Sequence, residues 1–494
     1  MKVLFTHSYF LRFDPKQWKQ QQPYAPLGTI QAASVLRENG FEVFLHDVMF
    51  EKNAESILDP LKKIKPDVLV IYDDGFNYLT KMCLTNMRNA AFEMCRLAKK
   101  AGCRVIVCSS DSTDHYQEYL AEGADFILQG EGEISLYEVL DAINKNENDF
   151  DKIAGIIFTK KGQPIINPKR KVLNDLDSLP FPAWDLINIK PYREAWQKST
   201  GYFSINMNTT RGCPFHCNWC AKPIYGNRYN SRSPEHVISE IKLLSEKFDF
   251  DHIWFCDDIF GLKPGWVNHF ANLIEKEKIN IRFKIQSRVD LLLEENLPGG
   301  QAGNIAALSR AGCETVWVGA ESGSQKILDA MEKGTTVEQI YESTRLLKKY
   351  NIRPAFFLQF GYPGETKEDI DATIKMVMDL LPHDIGVSVS YPLPGTKFYE
   401  TVKEQLKEKS NWTDSDDLSL MFKNTYSSQF YKELHRFIHK SYRTKQGLEE
   451  LKNFFFNPAD ISVASLKRIA AMPFHLTGKF VHKFKMKEKS LVSK

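Results

Sequence analysis

The stretch Arg211-Gly212-Cys213-Pro214-Phe215-His216-Cys217-Asn218-Trp219-Cys220 places three thiols within eight residues. Thiolates are soft ligands that suit iron-sulfur clusters or zinc, and three of them on a four-iron cluster leave one iron open to a substrate. A closed zinc site needs a fourth ligand. The nearest histidine, His216, adjoins Cys217 in a loop too short to place both comfortably. Cysteines that merely fill a core have no reason to gather at this spacing.

The loop follows an apolar run, Phe203 to Met207, which reads as a strand. Further strands are predicted at His252 to Cys256, Phe283 to Ile285, Thr315 to Gly319, Ala355 to Phe360 and Gly386 to Ser390, each separated by room for a helix. Six β/α units make a curved parallel sheet, as in a partial barrel, with functional groups at the strand C-termini. The helix that follows the cysteine loop is well marked. Ser233 caps it, Pro234 opens it, and Val237, Ile241, Leu244 and Phe248 form its apolar stripe.

Upstream, Val3 to Phe5, Glu42 to Leu45, Val68 to Tyr72, Val105 to Cys108 and Phe126 to Leu128 alternate with helical patterns. That rhythm predicts a Rossmann-like domain over 1–145, with ligands at the carboxyl ends of its strands. Residues 146–200 lose the rhythm. A hairpin turns at Lys160-Lys161-Gly162 and the Pro180-Phe181-Pro182 stretch is extended, so the segment reads as a linker draped on the next domain, 201–400. Residues 401–494 are aromatic and helical in pattern, without a chemical motif.

The pattern C-x3-C-x-aromatic-C, with Trp219 as the aromatic residue, resembles that of the radical S-adenosylmethionine (SAM) enzymes. The resemblance implies that Cys213, Cys217 and Cys220 hold a [4Fe-4S] cluster whose fourth iron binds the amino and carboxylate groups of SAM. One electron then splits SAM into methionine and a 5'-deoxyadenosyl radical, which takes hydrogen from an unactivated carbon. By the same resemblance, Asp257 and Asp258 lie near the SAM amino end, Arg288 pairs with its carboxylate, and Glu321 accepts from its ribose. The loop at Gly361-Tyr362-Pro363-Gly364 packs on its adenine.

The first domain resembles the cobalamin-binding subclass in Leu27-Gly28, Asp47, Gly130-Glu131-Gly132-Glu133 and the linker stretch Leu179 to Asp185. Small residues at strand ends let backbone approach a large flat ligand. There are departures. The D-x-H-x-x-G motif for an axial histidine is absent, and a polar, bulky loop from Cys108 to His115 replaces the Gly-Gly-Pro-His run of many relatives. His7, His46 and His115 near strand ends read as satisfied or exposed histidines rather than cobalt ligands.

The expected fold is therefore α/β: an N-terminal Rossmann-like cobalamin-binding domain, a partial (β/α)6 TIM-type radical SAM barrel and a small helical C-terminal region. The expected activity is methyl transfer from methylcobalamin to an unactivated carbon, a second SAM restoring the methyl group. An oxidative cyclase or rearrangement enzyme, and a non-catalytic cobalamin or redox sensor, are the alternatives. The implied partners are a small-molecule or lipid-like substrate and an electron donor such as flavodoxin or ferredoxin.

Lys and Arg number 65 against 62 for Asp and Glu, which excludes a strongly basic nucleic-acid-coating protein. Nine dispersed cysteines fit a reducing compartment, and the chain opens on no signal-peptide core, so a cytoplasmic protein is expected. The near balance hides a basic end: from Leu466 to Lys494 there are seven Lys and one Arg against one Glu. Interleaved with Leu466, Phe474, Phe480 and Phe484, these cations suit an anionic membrane surface, although Pro473 and Gly478 are expected to interrupt any long helix.

Overall fold

The computed structural model describes residues 1–73, 75–76, 84–220, 225–293, 296–297, 301–406, 411–456 and 461–491. Cys83 lies outside them. The chain divides into two compact units: 1–215 with 221–285 and 411–417, and 216–220 with 286–410 and 418–494.

In the first unit, apolar five-residue runs form β1 (Lys2–Thr6), β3 (Val68–Tyr72) and β4 (Arg104–Cys108), with shorter β2 (Glu42–Leu45) and β5 (Phe126–Leu128). The five pair in parallel in the order β2-β1-β3-β4-β5. Leu69, Ile71, Val105 and Val107 pack with Met94, Cys95 and Ala98 of the helix Thr85–Lys100, so the apolar runs that suggested strands are buried as a parallel sheet requires. Cys95, Cys103 and Cys108 are core residues.

Two segments differ from expectation. The hairpin β6 (Ile156–Lys160) and β7 (Gln163–Ile166) is no part of a draped linker: it extends the first sheet antiparallel, with Phe126 opposite Phe158. A local hairpin pattern does not reveal which edge strand it joins. The proline stretch after it is also anchored. Gln31 donates to the Pro180 carbonyl at 2.8 Å, and Trp184, fully buried, donates to Glu240 at 3.2 Å. The stretch after β4, expected as a polar, bulky loop, contains a short helix, Ser110–Asp114, whose N-terminus carries a Ser109/Ser112 capping box.

The second sheet begins in this unit with β8 (Ser204–Met207). A two-residue ladder of β9 (Thr210–Arg211) and β10 (Asn230–Ser231) follows, then β11 (His252–Phe255) and β12 (Phe283–Ser287). β8, β11 and β12 are parallel. The helix Pro234–Lys247 starts as expected, its Ser233 hydroxyl accepting from the His236 amide at 3.1 Å.

After the short ladder β13 (Asn296–Leu297) and β14 (Gln301–Ala302), the second unit supplies β15 (Cys313–Glu321), β16 (Arg353–Phe360) and β17 (Asp384–Val389), also parallel. The sheet order is β17-β16-β15-β12-β11-β8, the six β/α strands of the sequence reading. Cys313 on β15 and Cys256 just after β11 are buried core residues.

The chain ends in two helices, Ser428–Phe456 and Val463–Leu491. Glu433 pairs with His482 at 2.7 Å and Glu450 with Arg468 at 2.7 Å, so the helices run antiparallel as a hairpin. Contrary to expectation, Pro473 lies inside the second helix. It is on the exposed face, where water can satisfy the carbonyl that loses its amide partner, while the opposite face packs on the first helix. Among the described residues no helix is long and apolar enough to cross a membrane.

Candidate active site

Within the second unit the residues around Cys217 are tightly organised. The Asn218 amide donates to the Met331 carbonyl at 3.0 Å, its side-chain amide to the Ala330 carbonyl at 2.8 Å, and its own carbonyl accepts from the Phe398 amide at 3.0 Å. Tyr362, of the expected adenine loop, donates its hydroxyl proton toward Asn218 Oδ1 at 2.9 Å and the Ala330 carbonyl at 3.1 Å. The segment 216–220 is thereby pinned from three elements, at a residue that the spacing of the cysteines did not single out.

Arg288, at the end of β12, is buried. Its guanidinium donates to both Asp290 oxygens at 3.0 Å and to the Lys333 carbonyl at 3.0 Å, which aims Nη1 to 3.9 Å from Cys217 Sγ. Lys333 also faces this site: its ammonium donates to Glu321 at 2.9 Å and lies 5.8 Å from the Trp219 ring centroid. Burial opposes charge on Lys333, but Glu321 and Cys217 outweigh it, and the pKa is raised.

Glu321 ends β15 at a register shift, with φ +54° in the left-handed region. Non-glycine residues persist there only when surroundings over-determine them. A Cβ at Gly319 would lie 2.5 Å from Lys333 Nζ and 2.7 Å from Glu321 Oε1, so glycine leaves the room that this ion pair occupies. The structure thus brings Cys217, Arg288, Glu321 and Lys333 together. Lys333 was missed, because an isolated lysine between helices carries no sequence signal.

Gly361 has φ +75° and donates its amide to Glu365 at 2.7 Å, and Asn424 donates to its carbonyl. Burial pushes the Glu365 pKa up to about 8, the Gly361 amide opposing it.

In the first unit, Asp257 is wholly buried after β11. Its oxygens accept from the Thr209 amide and hydroxyl at 2.7 and 2.6 Å and from the Thr210 amide at 2.8 Å. Burial raises its pKa to about 6 despite these bonds. Asp257 therefore clamps the chain entering the cysteine loop, and Asp258 beside it is half-buried. Gly212, at φ +79°, faces the Arg228 carbonyl, which a Cβ would approach to 2.1 Å, so only glycine fits immediately before buried Cys213.

Arg211 is buried, donating to Glu133 at 2.7 Å with Glu131 at 3.6 Å, and it faces the Tyr225 ring at 5.3 Å. Glu131 also accepts from the Leu173 amide at 2.6 Å. The two carboxylates of the glycine-rich turn expected at a corrin are thus engaged with the residue that opens the cysteine loop. Gly130 has φ +71°, and the Gly132 amide donates to the Tyr72 hydroxyl at 3.2 Å. Gly28 is buried in the helix Leu27–Glu38.

Asp47 accepts from Tyr192 at 2.7 Å and pairs with His7 Nε2 at 2.9 Å; burial would raise its pKa, but these bonds outweigh it and lower the value. The other His7 ring nitrogen lies 3.3 Å from the Tyr9 amide, and His46 and His115 bond to Ser56 and Glu118, so all three are satisfied as expected.

Among the described residues, no three His, Cys, Asp or Glu side chains converge to hold a metal ion. What the structure offers a cluster is donor chemistry: half-buried Cys217 and Cys220, with buried cations Arg288 and Lys333 around Cys217, surroundings that favour a negatively charged thiolate-ligated centre.

Residues 207–377 match the family model of the Radical SAM superfamily. An uncharacterized methyltransferase of Pyrococcus horikoshii is 27% identical over 394 residues, 78% of this chain and 80% of that protein. The anaerobic magnesium-protoporphyrin IX monomethyl ester cyclase of Rubrivivax gelatinosus is 23% identical, over 82% of this chain and 71% of its own. The hopanoid C-3 methylase of Methylococcus capsulatus is 25% identical, over 77% and 69%.

Among solved structures, the cobalamin-dependent SAM radical enzyme OxsB, with aqua-cobalamin and SAM bound, superposes with a TM-score of 0.72 at 16% identity, over 97% of this chain and 72% of its own. The radical SAM methyltransferase TsrM of Kitasatospora setae, with cobalamin and a [4Fe-4S] cluster bound, gives 0.65 at 19% identity, over 82% and 75%. Residues 207–377 thus carry a radical SAM domain. In fold, a Rossmann-like sheet followed by a parallel radical SAM sheet, the chain is similar to OxsB and TsrM.

Proposed function

We propose that the protein is a cobalamin-dependent radical SAM methyltransferase acting on an unactivated carbon of a small-molecule or lipid-like substrate. The observation that carries the reading is the group formed by Cys217, Arg288, Glu321 and Lys333 next to the pinned segment 216–220. Cys213, Cys217 and Cys220 would hold the [4Fe-4S] cluster. The turns bearing Gly28, Asp47 and Gly130 to Gly132 would hold cobalamin at the carboxyl edge of the first sheet. Bound there, these groups supply an electron for SAM cleavage and a methyl group for transfer.

The chain's own residues do the positioning. Arg288 and Lys333 put positive charge beside Cys217, which suits the carboxylate of SAM. Glu321, held by Lys333, has a carboxylate suited to ribose hydroxyls, and the Gly361 turn offers backbone to an adenine. Asp257 fixes the start of the loop, and half-buried Asp258 is the candidate for the amino end of SAM. Reducing power would come from a flavodoxin or ferredoxin, in the cytoplasm.

The similarity to the magnesium-protoporphyrin cyclase supports a second reading, oxidative cyclisation without methyl transfer. Incubating reduced, reconstituted protein with SAM and candidate substrates distinguishes the two. Methyl transfer requires 5'-deoxyadenosine and S-adenosylhomocysteine in equal amounts. Cyclisation gives 5'-deoxyadenosine alone, and neither product would refute both readings.

A further inference from the structure

The second helix of the C-terminal hairpin has two unlike faces. Ser465, Arg468, Met472, His475 and His482 are buried or half-buried against the first helix. On the opposite side Val463, Leu466, Ala470, Phe474, Val481 and Phe484 recur three, four or seven residues apart and are all exposed. Phe474 is 69% exposed, its ring capped by Lys440 at 3.7 Å, and Phe484 is 64% exposed. At the end of the first helix, adjoining the start of this stripe, Phe455 and Phe456 are 72% and 81% exposed. Exposure of large apolar side chains in a contiguous patch marks an interaction surface.

Charge identifies the partner. Lys467, Lys483 and Lys485 are exposed on the same helix, within a segment of seven Lys and one Arg against one Glu. A second copy of the chain would bring two such positive faces together, which repel. An anionic bilayer instead accepts the rings at its headgroup boundary while the lysines reach its phosphates. We propose that this hairpin docks the enzyme on an anionic membrane surface, the stripe of the second helix lying in the interface and Phe455 and Phe456 inserted at its tip. The inference concerns location and is independent of which bond the active site forms.

Flotation of the purified full-length protein with vesicles tests it without turnover. Vesicles of phosphatidylcholine and phosphatidylglycerol in equal parts should bind at least about ten-fold more tightly than phosphatidylcholine alone, since each lysine near an anionic surface is worth about five-fold in partitioning. Lys467→Glu with Lys483→Glu and Lys485→Glu should abolish the preference. Phe480→Ser with Phe484→Ser, both exposed and so without effect on the helical circular dichroism, should reduce binding to the mixed vesicles by on the order of ten-fold or more. Equal binding to both vesicles, or wild-type binding by these variants, would overturn the proposal. So would a dimer in solution that the phenylalanine substitutions dissolve while vesicle binding is absent.

Discussion

Arg288 Nη1 lies 3.9 Å from Cys217 Sγ because Asp290 and the Lys333 carbonyl hold the guanidinium from its other sides. A lysine cannot make this three-way fork. Arg288→Lys is therefore expected to leave the fold intact and to lower SAM cleavage by about ten-fold to a hundred-fold, the worth of one or two charge-assisted hydrogen bonds. Measuring 5'-deoxyadenosine alongside iron content separates an effect on SAM from loss of the cluster.

Lys333 and Glu321 form a buried pair for which the missing side chain at Gly319 leaves room. Lys333→Met leaves Glu321 buried without its cation, a loss expected to cost about 3–5 kcal/mol. The double variant Lys333→Met with Glu321→Gln should recover much of that stability but not SAM cleavage. Chemical denaturation of both variants checks the first statement and product assay the second.

Arg211 bonds to Glu133 at 2.7 Å and lies 3.6 Å from Glu131 in the interior of the first unit. Arg211→Met strands two carboxylates and is expected to destabilise that unit by about 3–5 kcal/mol. Adding Glu131→Gln and Glu133→Gln should restore part of the loss. If Arg211→Met unfolds at wild-type denaturant concentrations, the triad has no structural role.

Glu365 has an ordinary carboxyl pKa when unfolded but one pushed up to about 8 by burial when folded. The folded state holds its proton longer, so the stabilisation is complete below the unfolded pKa, near 4.5, and is lost as pH rises through about 8. Glu365→Gln removes that dependence. Its melting temperature at pH 8 should exceed that of the wild type by on the order of 5 °C, the difference closing toward pH 5. Melting curves across that range would show the opposite trend if the carboxylate were stabilised by its surroundings.

Most of the architecture was legible because buried parallel strands are short apolar runs; those at Val68 to Tyr72 and Ala355 to Phe360 lie within observed strands. The hairpin pattern at 156–166 is visible in the sequence but its place in the first sheet is not, since its antiparallel partner Phe126 is remote in sequence. Pro473 misled in the other direction: its local cost is real, but it falls on the hydrated side of a helix whose other side is packed. At the site, the cysteine spacing is visible in the sequence, whereas Arg288 is singled out only through the family resemblance; the structure places it beside Cys217. Asn218, Lys333 and the engagement of Glu131 and Glu133 by Arg211 are not visible there, because each role exists only through a partner brought near by the fold.

The central claim is that Cys213, Cys217 and Cys220 hold an iron-sulfur cluster in a protein that also binds cobalamin. Iron, acid-labile sulfide and cobalt should be measured on anaerobically purified protein made with excess cobalamin, next to Cys217→Ala. About four irons, about four sulfides and about one cobalt per wild-type chain are expected, with iron and sulfide lost in the variant. Zinc without sulfide, or an unchanged cluster spectrum in Cys217→Ala, would contradict the cluster assignment, and absence of cobalt would contradict the cobalamin assignment.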